Sequence, residues 1–178
     1  ADGIDDDRLC LLMKTLEQTC EPDIALRNLV DIIKALQSQG RDFHQVITDD
    51  AGLVRLVTVL GVSDGMGKLM RFRPELVMAA ASDSCESHLY NHAQRRAHVL
   101  EAVGADPADN RMPKATKPLA EAATAPRQTY RKQLAAIMAQ DATADDPIEI
   151  QPRISQELSD LADAALEGAL AIARNEVD

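Results

Sequence analysis

The C-terminal stretch of the chain carries the pattern that most constrains the fold. Between Arg153 and Glu176, apolar side chains recur every three or four positions. They are Ile154, Leu158, Leu161, Ala165, Leu166, Ala169, Leu170 and Ile172. This spacing predicts one long amphipathic helix, because such intervals place side chains on one face of a helix. No cap residue ends the pattern, which favours a chain that is a fragment of a larger protein.

Composition extends this expectation to the rest of the chain. Apolar residues make up 46% of the sequence, but aromatic residues only 2%. A core of Leu, Ile, Val, Met and Ala favours helices over sheets. We therefore predict an all-α fold, an irregular array of short and long helices, with two long C-terminal helices packing as a hairpin.

The predicted organisation is one helical domain over residues 1–178. It comprises a short-helix array over 21–103, a loop over 104–118 and two long helices over 119–176. The run from Leu53 to Leu60 could form a strand, but the closing Gly61 favours a helix. Pro126 predicts a break or kink near residue 125, because proline removes a helical hydrogen bond. Residues 141–152 are predicted to form an acidic loop.

Charge and cysteine usage exclude several classes of protein. The chain has 29 acidic and 19 basic residues, a net charge of −10. This excess of acid argues against a nucleic-acid partner and against an anionic membrane surface. The three cysteines, an odd number far apart, indicate free thiols in a reducing compartment. No apolar run approaches the roughly 20 residues that span a bilayer, and we expect a cytoplasmic protein.

The glycine-rich segment from Gly61 to Lys68 partly matches a phosphate-binding loop. Such a loop needs four residues between its first glycine and its Gly-Lys pair, and a hydroxyl residue directly after that pair. Val62 and Leu69 stand at those two positions. The segment is therefore interpreted as the end of one helix and the cap of the next.

A second candidate site lies around residue 88. Cys85, His88 and His92 are spaced i, i+3 and i+7, which corresponds to one face of a helix, and a helix is predicted over 86–103. Thiolate and imidazole at this spacing could hold zinc or nickel, although no fourth ligand is evident. A polar helix face with a half-buried cysteine is the alternative.

Two C-terminal segments resemble a known family. Residues 127–137, which begin Arg127-Gln-Thr-Tyr130-Arg131, and residues 159–167, which begin Ser159-Asp160-Leu-Ala-Asp163, are similar to the glutamine synthetase adenylyltransferases. Residues 21–29, residues 60–63 and the pair Pro74-Glu75 resemble further landmarks of that family in the same order.

The resemblance implies the N-terminal helical, non-catalytic region of a bifunctional enzyme. Such an enzyme attaches AMP to glutamine synthetase and removes it, using ATP and magnesium. The family's catalytic motif, Gly-Gly-x-Glu-Leu followed by Ser-Asp-x-Asp, is absent from this chain, so we assign it no catalytic residue and no cofactor. The expected partners are the enzyme's own downstream nucleotidyltransferase domain, glutamine synthetase and a PII-type signalling protein.

Six residues match family landmarks: Arg127, Tyr130, Arg131, Ser159, Asp160 and Asp163. Their expected role is docking against the catalytic domain, and packing between the two long helices is the alternative. A stand-alone helical module for protein interaction or metal binding is the second reading of the whole chain.

Overall fold

Every regular element in the described part of the chain is an α-helix. The computed structural model describes residues 6–82 and 91–177. The helices in these residues are α1 (Asp6–Gln18), α2 (Pro22–Ser38), α3 (Phe43–Val46), α4 (Asp50–Val62), α5 (Asp64–Phe72), α6 (Pro74–Ala81), α7 (His92–Val103), α8 (Leu119–Ala142) and α9 (Pro147–Val177). The all-α prediction is confirmed.

The helices form two compact units. The described residues of the first are 6–82 and 138–145, and those of the second are 91–137 and 146–177. Helix α8 contributes to both, since its last turn belongs to the first unit. The predicted single domain over residues 1–178 stays a prediction.

The first unit contains the short helices α1 to α6 and the last turn of α8, whereas α7, which lies within the predicted short-helix array over 21–103, belongs to the second unit. The core of the first unit is built around α2 and α4, which bury Ile32, Leu36, Leu56 and Leu60 almost completely. Helix α4 covers the run that could have formed a strand, and α1, α5 and α6 pack around it. Side-chain caps mark the starts of several of these short helices. At the start of α4, for example, the Asp49 carboxylate accepts a hydrogen bond from the Gly52 amide at 2.6 Å.

The second unit joins α7, the first part of α8, and α9. At one end, Leu100 and Val103 of α7 pack with Ala122 of α8 and Ala171 of α9. Towards the other end, Ile137 of α8 packs with Ile154 and Leu161 of α9, and Tyr130 and Leu134 lie against them. The predicted hairpin of two long C-terminal helices is confirmed.

Two prolines do not interrupt these helices. The break predicted near residue 125 is wrong, because α8 continues through Pro126, and a kink at that point stays a prediction. The predicted loop over 141–152 is also wrong at both ends, because α8 extends to Ala142 and α9 begins at Pro147 and includes Pro152. The Asp146 carboxylate accepts the amides of Ile148 and Glu149 at 2.9 and 3.0 Å, so it caps α9. Each interior proline costs one hydrogen bond, which the packing of a long helix can offset.

Helix α7 is shorter than the helix predicted over 86–103. Asn91 caps it from an extended backbone, with ψ at 168°, and forms a reciprocal capping box with Gln94. Residues 83–90 lie outside the described residues. Within α7, Leu100 and Arg95 lie in the core, whereas Ala93 is exposed.

Candidate functional site

A buried arginine stands at the centre of the second unit. Arg95 of α7 is 0% exposed. Its Nη1 donates to Oε1 of Gln133 on α8 at 2.8 Å, and its Nη2 donates to Oε2 of Glu157 on α9 at 3.0 Å. One side chain thus joins all three helices of the unit. Since a buried charge is tolerated only with charged or hydrogen-bonding partners, these contacts favour a single arrangement of the helices.

Glu157 is shared between two cations. Its second oxygen, Oε1, lies 3.5 Å from Nε of Arg153, one turn earlier on α9. The Glu157 side chain is only 9% exposed, whereas that of Arg153 is 50% exposed. The carboxylate therefore faces the buried Arg95 on one side and a half-exposed arginine on the other.

Sequence reasoning missed this centre, although a signal was present. Arg95 stands four and eight residues before Val99 and Val103, so it occupies a core position of α7. Glu157 likewise lies between the buried Ile154 and Leu161 of α9. A cation and an anion at core positions of two predicted helices indicate an ion pair between those helices.

A second polar cluster fixes the loop between α7 and α8. Arg96 donates to the carbonyl oxygens of Pro107 and Asp109 at 2.9 and 2.7 Å. Arg174 of α9 donates to the carbonyl oxygen of Pro113 at 3.3 Å. Both guanidinium groups lie 3.6 Å from Oε1 of Glu167. The predicted loop over 104–118 is therefore tied to α7 and α9 through its backbone.

Asp109 organises the tip of that loop. Its carboxylate accepts the amides of Arg111 and Met112 at 2.9 and 3.1 Å. These two backbone hydrogen bonds hold the pKa of Asp109 below its ordinary value, and the charges of Arg174 and Arg96 act in the same direction. The tip exposes the Met112 side chain, which is 59% accessible.

The landmarks on α8 and α9 have different surroundings. Tyr130 lies against the cluster formed by Ile137, Ile154 and Leu161. Arg127 is exposed on the same helix, and Arg131 is half-buried. Of the three landmarks on α8, Tyr130 therefore packs against the core of the second unit, and Arg127 remains accessible.

The α9 landmarks make mainly local contacts. The Ser159 hydroxyl donates to the Ser155 carbonyl oxygen at 2.9 Å, within its own helix. Oδ1 of Asp160 accepts from Gln156 at 2.8 Å and lies 3.5 Å from Nδ1 of His92 on α7. Asp163 is exposed. The proposed docking role of these six residues stays a prediction.

The metal-ligand candidates are only partly described. Cys85 and His88 lie outside the described residues, whereas His92 is the first residue of α7 and contacts Asp160. Within residues 6–82 and 91–177, no three His, Cys, Asp or Glu side chains are placed to share a metal ion. The metal prediction stays untested for Cys85 and His88.

The glycine-rich segment is explained by close helix packing. An added Cβ on Gly61 of α4 would lie 2.7 Å from Cβ of Thr19, and one on Gly67 of α5 would overlap the Asn28 amide. The Ser63 hydroxyl accepts the Met66 amide at 3.2 Å and caps α5. The interpretation as a helix end followed by a helix cap agrees with these contacts.

None of the helices within the described residues is both long and apolar enough to cross a membrane. The described part is thus an all-α protein in which buried and half-buried ion pairs join the helices of the second unit.

Comparison with known proteins finds relatives that share one name. The chain is 66% identical over all 178 residues to the bifunctional glutamine synthetase adenylyltransferase/adenylyl-removing enzyme of Bifidobacterium longum (strain DJO10A). It is 64% identical over its full length to that of Bifidobacterium longum subsp. infantis, and 33% identical over 172 residues to that of Cutibacterium acnes. No protein-family model and no solved structure matches the chain.

The predicted resemblance is confirmed: over its whole length, the chain is homologous to one segment of the bifunctional glutamine synthetase adenylyltransferases. It spans 16% of the length of the two Bifidobacterium relatives.

Proposed function

We propose that this chain is a non-catalytic helical region of a bifunctional enzyme that attaches AMP to glutamine synthetase and removes it. The observation that carries the proposal is the identity of 66% over 100% of the chain to an enzyme of that name, of which the chain makes up 16%. Identity at this level over a whole chain supports a shared role in the parent enzyme. The expected role is that of a scaffold, or of a docking surface, for the nucleotidyltransferase domain.

The described side chains support a structural role better than a chemical one. Metal-assisted transfer of AMP needs carboxylates that converge from several elements. Among the described residues, Glu157 and Glu167 instead bind arginines that join helices and a loop. We therefore assign ATP and magnesium to other parts of the parent enzyme and derive no chemical step in this chain.

The remaining features of the proposal concern location and partners. The net charge of −10 favours protein partners over nucleic acid. The proposed partners are the nucleotidyltransferase domain of the parent, glutamine synthetase and a PII-type signalling protein, and the proposed compartment is the cytoplasm.

The first experiment tests whether the chain has activity of its own. The purified 178-residue chain is incubated with glutamine synthetase and radiolabelled ATP with magnesium, and separately with adenylylated glutamine synthetase and phosphate. We expect neither AMP attachment nor AMP release above a blank without enzyme, while the full-length parent catalyses both. Turnover by the chain alone would contradict a non-catalytic role, and an inactive parent would contradict the family assignment of function.

The second experiment tests the landmark residues as a docking surface. Asp163 is exposed, so Asp163→Ala should leave the thermal stability of the 178-residue chain unchanged. In the full-length parent, the same change should lower the rate of AMP release. Asp145→Ala, a change of another exposed acid outside the landmarks, is the control. Equal rates for the two variants would remove Asp163 from the proposed surface.

A further inference from the structure

Helix α9 has two apolar faces, and the described chain covers only one of them. The covered face holds Ile154, Leu161, Ala164 and Ala171, all of them buried. The opposite face is formed by Leu158, Ala162, Leu166, Ala169, Leu170, Ala173 and Val177, all of which are exposed. We call these seven residues the outer stripe.

The large side chains of the outer stripe are open to solvent. Leu158 is 41% exposed, Leu166 is 64% exposed and Leu170 is 49% exposed. From Leu158 to Val177, the stripe runs for about 29 Å along the helix at 1.5 Å per residue. Surfaces of monomeric proteins rarely hold a continuous apolar strip of this length, and such strips mark interaction sites.

The outer stripe carries no charged side chain between its first residue and Ala173. The acids and the arginine of this part of α9, namely Asp160, Asp163, Glu167 and Arg174, lie at other positions around the helix. An exposed helix normally places charged residues on the face opposite its core. The pattern of α9 is that of a helix buried on two sides.

The shape of the stripe fits another helix. Along the stripe, Ala162, Ala169 and Ala173 lie between or beside the leucines. Small residues between ridges of leucine let a second helix axis approach closely, near the low end of the usual 8 to 10 Å. A run of about 19 residues would match a helix of about five turns.

We infer that the outer stripe is the docking site for a helix of the parent polypeptide that lies outside these 178 residues. The inference rests on the proposed function, because it takes the parent to be as long as its relatives. The matched segment makes up only 16% of the Bifidobacterium enzymes, so most of such a protein is available to cover the stripe. Covalent linkage gives that partner a high effective concentration, which a separate protein lacks.

The test compares thiol labelling at the stripe in the 178-residue chain and in the full-length parent. Leu166→Cys places a thiol in the middle of the stripe, and Phe72→Cys, at a side chain that is 68% exposed, is the matched control on the first unit. Leu166→Cys removes a leucine side chain and could itself weaken docking. Ala169→Cys, which adds only a sulfur atom, is therefore a second labelling site that keeps the leucines. Labelling by a maleimide is followed peptide by peptide by mass spectrometry, because Cys10 and Cys20 are also exposed.

In the 178-residue chain, the thiols at positions 166 and 169 should label as fast as the control at position 72. In the parent, labelling at 166 and 169 should slow by about tenfold or more relative to that control, since a docked site labels only when it opens. Fast labelling in the parent at both positions would overturn the inference. Protection in the 178-residue chain that is lost on dilution would also overturn it, because the occupant would then be a second copy.

The labelling result is separate from the proposed function. The same parent preparation is assayed for AMP attachment and release. An inactive parent with protected thiols refutes the proposed function and leaves the docking site in place. An active parent with freely reactive thiols refutes the docking site alone.

Discussion

The ion pair of Arg95 and Glu157 gives the sharpest test of how the second unit is held together. Replacing Glu157 with leucine leaves the Arg95 guanidinium fully buried and facing an apolar side chain. The neutral acceptor of Gln133 remains on the side of α8. Removing one partner of a buried pair costs about 3 to 5 kcal/mol, because the other charge stays desolvated.

The reciprocal change should be milder. Arg95→Met removes the buried cation and keeps most of the side-chain volume. Glu157 then still has Arg153 at 3.5 Å, half-exposed and able to screen the carboxylate. The expected cost is about 1 to 2 kcal/mol, near that of one lost charged hydrogen bond. The double variant Arg95→Met with Glu157→Leu should recover most of the loss, since no unpaired charge remains buried.

The assay follows urea unfolding together with amide hydrogen exchange. Because the chain has two compact units, a single unfolding curve need not be two-state. Exchange rates of peptides from α7 and α9 therefore supply the opening free energy of the second unit, and peptides from α2 serve as the internal control. The reasoning is refuted if Glu157→Leu costs no more than Arg95→Met, or if the double variant is as unstable as the two single losses added together.

Three further predictions follow from the packing, the loop and the prolines. An added Cβ on Gly168 would lie 2.5 Å from Cγ1 of Val99 on α7, so Gly168→Ala should destabilise the second unit by about 1 to 3 kcal/mol in thermal melts. Gly65→Ala, whose Cβ would meet nothing nearer than 3.9 Å, should instead stabilise by up to about 1 kcal/mol. The lowered pKa of Asp109 means that its contribution to stability is complete above the unfolded-state pKa and is lost as the pH falls through the folded pKa. Urea titrations on acidification should therefore show a smaller loss of stability for Asp109→Ala than for the unchanged chain. Pro126→Ala should restore a helical donor within α8 and raise stability by up to about 3 kcal/mol, whereas Pro147→Ala at the first position of α9 should change it little.

Local signals in the sequence were sufficient for most of the first unit. The capping side chains of Asp49 and Ser63 mark the starts of α4 and α5, and Pro22 and Pro74 open α2 and α6. A cap or a first-turn proline acts within three or four residues, so it can be recognised without knowledge of the fold. The short-helix array could therefore be predicted nearly element by element.

Prolines misled the prediction where tertiary packing decided the outcome. Pro126 and Pro152 each remove one backbone donor, and the sequence alone treats that loss as the end of a helix. In the structure, Ile137 and Leu161 continue the packing of α8 against α9 beyond both prolines. The lost hydrogen bond is a local effect of each proline. The stabilising packing comes from the partner helix, which a short window of sequence does not contain.

The candidate site could be predicted less well than the fold. The family landmarks are recognisable in the sequence, but the apolar pattern does not predict the burial of Arg95, Gln133 and Glu157. Each is polar, and a count of apolar residues assigns polar side chains to the surface. Their burial depends on one another, because Arg95 can be buried only where Glu157 and Gln133 meet it.

The apolar stripe predicted on α9 divides between two faces in the structure. The spacing places Leu158, Leu166 and Leu170 on one face with Ile154 and Leu161, but α7 and α8 leave the three leucines exposed. The face that packs on α7 includes Glu157 and Gly168, whose fit comes from Arg95 and from close contact with Val99. Complementarity thus fills the inner face with residues that hydropathy would not select. The leucines of the outer stripe stay 41 to 64% exposed in this unit, and the docking site proposed for them would add the stabilising effect of their burial.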